Sequence, residues 1–149
     1  GDVPEDDDHL VNFGEAAIRH EGADVTIVAI LRMAHVAEQA AKTLSHEHGV
    51  EAELIDPRTL RPLDLDTILE SVRKTNRLVV VEEGWAFAGV GAQIVDVVQL
   101  HAFDELDAPV LRVTGAEVPM PYNKHLERAA KADPAKVIAA VKRVLYTGI

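Results

Sequence analysis

Apolar runs of strand length alternate with segments of helical spacing along most of the chain. VTIVAI at residues 25–30 and LVVV at 78–81 are continuous and rich in β-branched residues, as expected of strands covered on both faces. Further strands are predicted at 51–55 and 109–113, with a short edge strand within 13–20. Because parallel strands are joined by crossover helices, this alternation predicts a largely parallel sheet with helices on both faces.

The predicted helices have recognisable boundary residues. Gly49 suits the left-handed position after a helix, and Asp133 and Pro134 suit the N-cap and first turn of the last helix. A glycine and two prolines within 115–121 exclude regular structure there, so we expect a long irregular loop after the last strand. The predicted helices are 34–48, 64–74, 90–101 and 134–145.

One domain accounts for nearly the whole chain. At 149 residues the chain is long enough to bury a substantial core. Residues 1–8 are acidic and contain a proline, which predicts an arm or linker, and residues 9–149 form the domain. The side chains expected to be buried on central strands are Val28, Ile30, Leu54, Val79, Val80 and Leu111.

Charge and composition exclude several classes of function. The formal charge of −10 has the wrong sign for a nucleic-acid partner, whose phosphates require cations, and it favours basic protein partners. There is no cysteine, and therefore no disulfide, thiolate zinc site or cysteine nucleophile. The longest apolar run, 25–31, is too short to span a bilayer, and the first residues do not resemble a signal peptide, so we expect no membrane association.

The seven histidines do not form a metal-binding pattern. His46 and His48 lie two residues apart and therefore on different faces of a helix, and the others have no partner at ligand spacing. His35 begins an apolar helix face, and we assign it to packing or to a domain contact. The sequence therefore predicts no metal ligand and no catalytic residue.

Two adjacent acids follow the strand at 78–81. Glu82 and Glu83 stand at its carboxyl end, where α/β folds place their sites, and a pair of carboxylates there could do acid–base work. No nucleophile or metal motif accompanies them. We therefore expect salt bridges to Arg58, Arg61 or a partner chain.

A glycine turn opens the next predicted helix. Gly89-Val90-Gly91 follows a strand and could cradle a phosphate on helix amides. The GxGxxG pattern is incomplete, however, because Ile94 stands where the third glycine is required. Tight packing of the loop against its neighbours is the favoured interpretation.

Four motifs occur in a characteristic order: IDPRTLRPLD, TNRLVVVEEGW, GVGAQI and LDAPVLRVTGAEVPMPY. Together they resemble the C-terminal domain of the β subunit of pyruvate dehydrogenase E1. That enzyme family belongs to the thiamine diphosphate-dependent 2-oxoacid dehydrogenases, and the wider domain class is the transketolase C-terminal domain. The resemblance extends from about residue 6 to residue 149. It implies a three-layer α/β/α fold with a five-stranded, mixed but mostly parallel sheet whose first strand runs antiparallel.

The resemblance also implies an activity for a parent enzyme. Such an enzyme decarboxylates pyruvate on thiamine diphosphate with Mg²⁺ and acetylates a lipoyl arm of E2, in the bacterial cytoplasm or the mitochondrial matrix. In the family, the diphosphate motif lies on the α subunit, and the activating acid and an active-site histidine lie in the N-terminal domain of the β subunit. None of these is matched here, so we expect the chain by itself to bind no cofactor and to be inactive.

Partners follow from the same resemblance: the E1 α subunit, a second β subunit and the small basic subunit-binding domain of the E2 acyltransferase. In similar subunits the Asp of LDAP and the terminal carboxylate meet that E2 domain, and these positions here are Asp107 and Ile149. The glycine turn lies near subunit contacts in the family. We therefore expect Trp85, Phe87 and Val90 to form an exposed apolar interface.

Two other interpretations stay open. A branched-chain 2-oxoacid or acetoin dehydrogenase would share this domain, although GAEVPMPY favours the pyruvate type. A free-standing nucleotide-binding or regulatory α/β domain belongs to a different class, and nucleotide calorimetry would distinguish it from an assembly domain.

Overall fold

The computed structural model describes residues 10–146, in which strands and helices alternate. The strands are β1 (Ala17–His20), β2 (Val25–Ala29), β3 (Ala52–Asp56), β4 (Leu78–Trp85) and β5 (Leu111–Gly115). The helices are α1 (Met33–His48), α2 (Leu65–Thr75), α3 (Val90–Ala102), α4 (Lys124–Ala130) and α5 (Pro134–Val144), with a 3₁₀ turn at Phe103–Glu105. No helix within this part of the chain is long and apolar enough to cross a membrane.

The strands form one sheet in the order β1-β3-β2-β4-β5. β1 runs antiparallel to β3, and every other neighbouring pair is parallel. At the centre, Ile27 of β2 lies beside Leu54 of β3 on one side and Val79 of β4 on the other. The five-stranded, mostly parallel sheet and its antiparallel first strand are therefore confirmed.

Successive residues of each strand face opposite helical layers, as the strand period of two requires. In β4, Val79 and Val81 pack with α1 and α5, whereas Leu78 and Val80 pack with α2 and α3. The core is thus divided by the sheet into two apolar layers, which makes the three-layer α/β/α arrangement. Of the predicted core, Val28, Ile30, Leu54, Val79 and Val80 are buried, but Leu111 is only partly buried because β5 is an edge strand.

Helix ends follow the predicted chemistry. The amide of Gly49, at φ 63°, donates to carbonyls of the last turn of α1, and the Asp133 side chain accepts from the amide of Lys136 at 2.9 Å. Asp64 caps α2 and also accepts from the Ala16 amide at 2.8 Å. Partial burial opposes its ionisation, but the hydrogen bonds from Ala16 and Thr67 prevail and hold the pKa of Asp64 below its ordinary value.

The largest differences from the prediction are two strand boundaries and one additional helix. β4 continues past Val81 to Trp85, so Glu82 and Glu83 lie within the strand and not after it. β5 begins at Leu111, two residues later than expected, because Pro109 cannot donate a hydrogen bond to the sheet. The helix α4 was not predicted: of its seven residues only Ala130 is buried, so it has no apolar periodicity to reveal it.

Candidate functional site

The loops after β4 and β5 leave the sheet at its carboxyl edge, where open α/β sheets place their binding sites. Trp85, Phe87 and Val90 lie on or beside the first of these loops, and 50%, 82% and 37% of their surfaces are exposed. The expected exposed apolar side chains are therefore present.

The second loop adds exposed apolar side chains that the sequence interpretation did not single out. They are Val118, Met120, Tyr122 and, on α4, Leu126. The two loops are joined, because the Phe87 amide donates to Oε1 of Glu117 at 3.2 Å. We refer to these seven side chains, Trp85, Phe87, Val90, Val118, Met120, Tyr122 and Leu126, as the carboxyl-edge surface.

A buried ion pair lies beneath the first loop. Oε1 of Glu82 accepts from Nε of Arg112 at 3.1 Å and from Nη2 at 2.5 Å, and Oε2 accepts from the Gly91 amide at 3.0 Å. Nη2 of Arg112 also donates to the Ala86 carbonyl at 2.8 Å. Glu82 thus ties β5 to the first turn of α3, and its partner Arg112 ties β5 to the start of the loop.

The glycine turn is filled by this carboxylate. A Cβ atom built on Gly91 would lie 2.4 Å from Oε1 of Glu82, and one on Gly89 would lie 2.6 Å from Oε2. The Gly91 amide, which could have donated to a phosphate, already donates to Glu82. The turn is therefore packed against the Glu82 side chain of the same chain. The packing interpretation of the glycines is confirmed.

Glu83 points to the opposite face of the sheet and holds the second loop. Nζ of Lys131 lies 3.4 Å from Oε1 of Glu83 and 2.5 Å from Oε1 of Glu127 on α4. The hydrogen bond from Lys131 lowers the pKa of Glu127, and Glu127, helped by Glu83, raises the pKa of Lys131. This three-membered cluster fixes the end of α4 against β4.

The expected salt bridges of Glu82 and Glu83 are confirmed, but Arg58 and Arg61 were wrong as partners, and a contact with a partner chain stays a prediction. Arg112 and Lys131, and not Arg58 or Arg61, pair with Glu82 and Glu83. One signal for Arg112 was present, since it interrupts the apolar run VLRV, and a cation in a sheet requires a buried partner.

Asp107 lies at the opposite, amino edge of the sheet. Its carboxylate pairs with Nη2 of Arg77 at 3.0 Å, and its amide donates to the Asn76 carbonyl at 2.9 Å. The hydroxyl of Tyr146, the last described residue, donates to the Asp107 carbonyl at 3.2 Å. Ile149, the other predicted docking residue, lies outside the described residues, as does the predicted arm at 1–8.

The histidines do not gather into a site. Among residues 10–146 no group of three histidine, aspartate or glutamate side chains is placed to hold a metal ion. His35 is exposed on α1, so its assignment to packing within the domain was wrong, while a contact with another domain stays a prediction. What the described residues of the carboxyl edge do present is an exposed apolar surface with ion pairs beneath it.

Comparison with known proteins gives a consistent result. Residues 14–137 match the family described as transketolase, C-terminal domain. The β subunit of mitochondrial pyruvate dehydrogenase E1 from Dictyostelium discoideum is 48% identical over 143 residues, which is 96% of this chain and 40% of that protein. The β subunit from Rickettsia felis is 49% identical over 148 residues, or 99% of this chain and 45% of that protein.

Solved structures have the same fold. A split-gene transketolase, described as an inactive β4 tetramer, superposes with a TM-score of 0.80 at 32% identity, covering 97% of this chain and 46% of that one. A 2-oxoglutarate:ferredoxin oxidoreductase from Magnetococcus marinus, at 16% identity and a TM-score of 0.58, shares the fold alone. The chain spans less than half the length of the two pyruvate dehydrogenase E1 β subunits named above.

Proposed function

Because the chain belongs to the transketolase C-terminal domain family, we propose that it is the assembly domain of the β subunit of a pyruvate dehydrogenase E1. The parent enzyme decarboxylates pyruvate on thiamine diphosphate and transfers the acetyl group to lipoyl-E2. This domain contributes the contact between β subunits and the docking site for E2. The pyruvate substrate is favoured over branched-chain 2-oxoacids and acetoin because the similar β subunits carry the pyruvate dehydrogenase name.

The carboxyl-edge surface carries the proposal of subunit contact. Exposed aromatic side chains on an ordered loop are typical of interface anchors, since they bury a large area with little loss of conformational entropy. Phe87 and Trp85 meet this description. The bond from Arg112 to the Ala86 carbonyl and the bond from the Phe87 amide to Glu117 fix the loop that carries them. The split-gene transketolase is a β4 tetramer, which supports self-association in a domain of this fold.

The glycine turn at 89–91 does not fit a diphosphate group. The glycine turn that could hold a diphosphate is filled by Glu82, whose negative charge repels a second anion at that place. We therefore derive no catalytic step within the chain. In the proposed enzyme, thiamine diphosphate and Mg²⁺ belong to the α subunit and to the preceding part of the β subunit.

E2 docking is proposed at Asp107. Its carboxylate is more than half exposed, and the ion pair with Arg77 fixes its direction. The hydroxyl of Tyr146, the last described residue, donates to the Asp107 carbonyl, and the terminal carboxylate of Ile149 is proposed as the second docking acid on the resemblance alone. A pair of acids facing arginine and lysine gives charge-assisted bonds and fast encounter.

Sedimentation equilibrium tests the subunit contact. We expect the wild-type chain to self-associate and Phe87→Ser to weaken this at least tenfold, which corresponds to about 1.4 kcal/mol. Phe103→Ser is the matched control, because Phe103 is also an exposed phenylalanine but follows α3 at the other edge of the sheet. Equal dissociation constants for the two variants would contradict the proposed surface.

A binding titration of assembled E1 with the E2 subunit-binding domain tests the docking site. Truncating one member of a desolvated charge pair typically costs roughly 2–5 kcal/mol, so Asp107→Ala is expected to weaken binding at least tenfold. The exposed acid Glu70 on α2 provides the control, and Glu70→Ala is expected to have little effect. Unchanged affinity in Asp107→Ala and in a chain lacking Gly148 and Ile149 would remove the docking site from the proposal.

A further inference from the structure

Glu82 is a buried carboxylate that the proposed subunit contact does not itself use. Only 4% of the residue is exposed, and both oxygens are engaged. A buried charge is costly unless it is paired, and even a paired one often adds little to stability compared with an apolar residue. Its three bonds all lead to elements that frame the loop carrying Trp85 and Phe87.

We propose that Glu82 and Arg112 are positioning residues that hold the 85–90 loop in the conformation that presents Trp85 and Phe87 to a partner subunit. The interface part of this inference rests on the proposed function. The holding of the loop does not, because it is a property of the single chain.

Three contacts fix the loop at both ends and in the middle. At the end of the loop, the Gly91 amide donates to Oε2 of Glu82. At its start, Nη2 of Arg112 donates to the Ala86 carbonyl. Between them, the Phe87 amide is held by Glu117. All three bonds are made by backbone groups of the loop and not by the Phe87 side chain. That side chain is exposed and available to a partner.

The loop has a reason to need this support. The backbone of Ala88 has φ 54°, a left-handed conformation that residues other than glycine rarely adopt. The neighbouring Gly89 and Gly91 admit the carboxylate only because they lack a Cβ. A segment with such a residue persists where the surrounding structure determines it, and here Glu82 and Arg112 supply that constraint.

A second buried glutamate in an ion pair provides the control. Glu53 is 2% exposed and pairs with Lys74, so it is as buried and as charged as Glu82. It lies on β3 and pairs with Lys74 of α2, whereas the carboxyl-edge surface lies on or beside the loops after β4 and β5 and on α4. If Glu82 were only a structural acid, Glu53→Gln and Glu82→Gln would have the same consequences.

Hydrogen exchange of the 86–91 amides, sedimentation equilibrium and urea unfolding of the whole chain test the proposal. We expect Glu82→Gln to speed exchange of the Phe87 and Gly91 amides at least tenfold and to raise the dimer dissociation constant at least tenfold. Arg112→Lys keeps the charge but has a single donor group, so we expect a smaller change in the same direction. Glu53→Gln is expected to lower the unfolding midpoint while leaving both loop exchange and dissociation constant unchanged.

The outcomes separate this inference from the proposed function. Loop exchange that stays at the wild-type rate in Glu82→Gln and Arg112→Lys, or that rises equally in Glu53→Gln, overturns the positioning role. Trp85→Ala leaves the ion pair intact and tests only the contact surface. If Trp85→Ala does not change the dissociation constant, the subunit contact is wrong, and loop exchange still decides whether Glu82 and Arg112 hold the loop.

Discussion

Replacing Gly91 by alanine tests the packing of the glycine turn against Glu82. On an open helix this change is expected to stabilise the fold by about 0.8–1.0 kcal/mol, because alanine is the better helix former. Gly91 is not open: its new Cβ would lie 2.4 Å from Oε1 of Glu82 and 2.9 Å from Nε of Arg112. The propensity gain and the steric cost therefore oppose each other.

The structure indicates that the steric cost prevails. Ordinary contact begins at 3.4 Å, so the carboxylate has to move by about 3.4 − 2.4 = 1.0 Å. Such a shift breaks at least the bond from the Gly91 amide, now 3.0 Å long, and a hydrogen bond to a charged group contributes roughly 1.5–3 kcal/mol. Subtracting the helix propensity gives a net destabilisation of about 0.5–2 kcal/mol for Gly91→Ala.

Urea unfolding followed by circular dichroism measures this difference. Gly84→Ala is the control, because Gly84 lies in β4 with no atom within 4 Å of the added Cβ. Alanine there is expected to be neutral or to stabilise the strand by roughly 0.5–1 kcal/mol. If Gly91→Ala is as stable as Gly84→Ala, the carboxylate is not confined as described, and the reasoning about the turn is refuted.

Three further outcomes are expected. Val80→Asp places an unpaired charge in a fully buried position and is expected to cost several kcal/mol, seen as a large fall in the melting temperature; a melt like that of the wild type would contradict the sheet assignment. Asp64→Ala removes the cap of α2 and is expected to cost about 0.5–2 kcal/mol at neutral pH. The pKa of Asp64 in the folded state lies below its ordinary value of 3.8, so the ionised carboxylate stabilises the fold fully above pH 3.8. As the pH falls through the folded-state pKa, the difference in stability between Asp64→Ala and wild type is expected to disappear. A constant difference down to acid pH would contradict this. Calorimetric titration of the chain with thiamine diphosphate and Mg²⁺ is expected to show no binding, and a stoichiometric heat would overturn that expectation.

The fold was largely readable from the sequence because its signals are local. Continuous β-branched runs such as 25–29 and 78–81 are buried on both faces in any sheet with two helical layers, whatever the order of the strands. Gly49 and Asp133 end and begin helices through bonds to residues three to five positions away, so their neighbours in sequence suffice to predict them. The antiparallel direction of β1 was expected only from the resemblance.

The contacts of the carboxyl edge depended on the tertiary structure. Glu82 and Arg112 are 30 residues apart and meet only because β5 lies beside β4, and the order of strands in a sheet leaves no local mark on the sequence. Lys131 and Glu83 are also far apart in the sequence, and Lys131 follows a short helix whose exposed residues gave no periodic signal. The sequence by itself determined which residues form the layers, because burial follows local period. The tertiary structure decided which charges meet, because their partners lie far apart in the sequence.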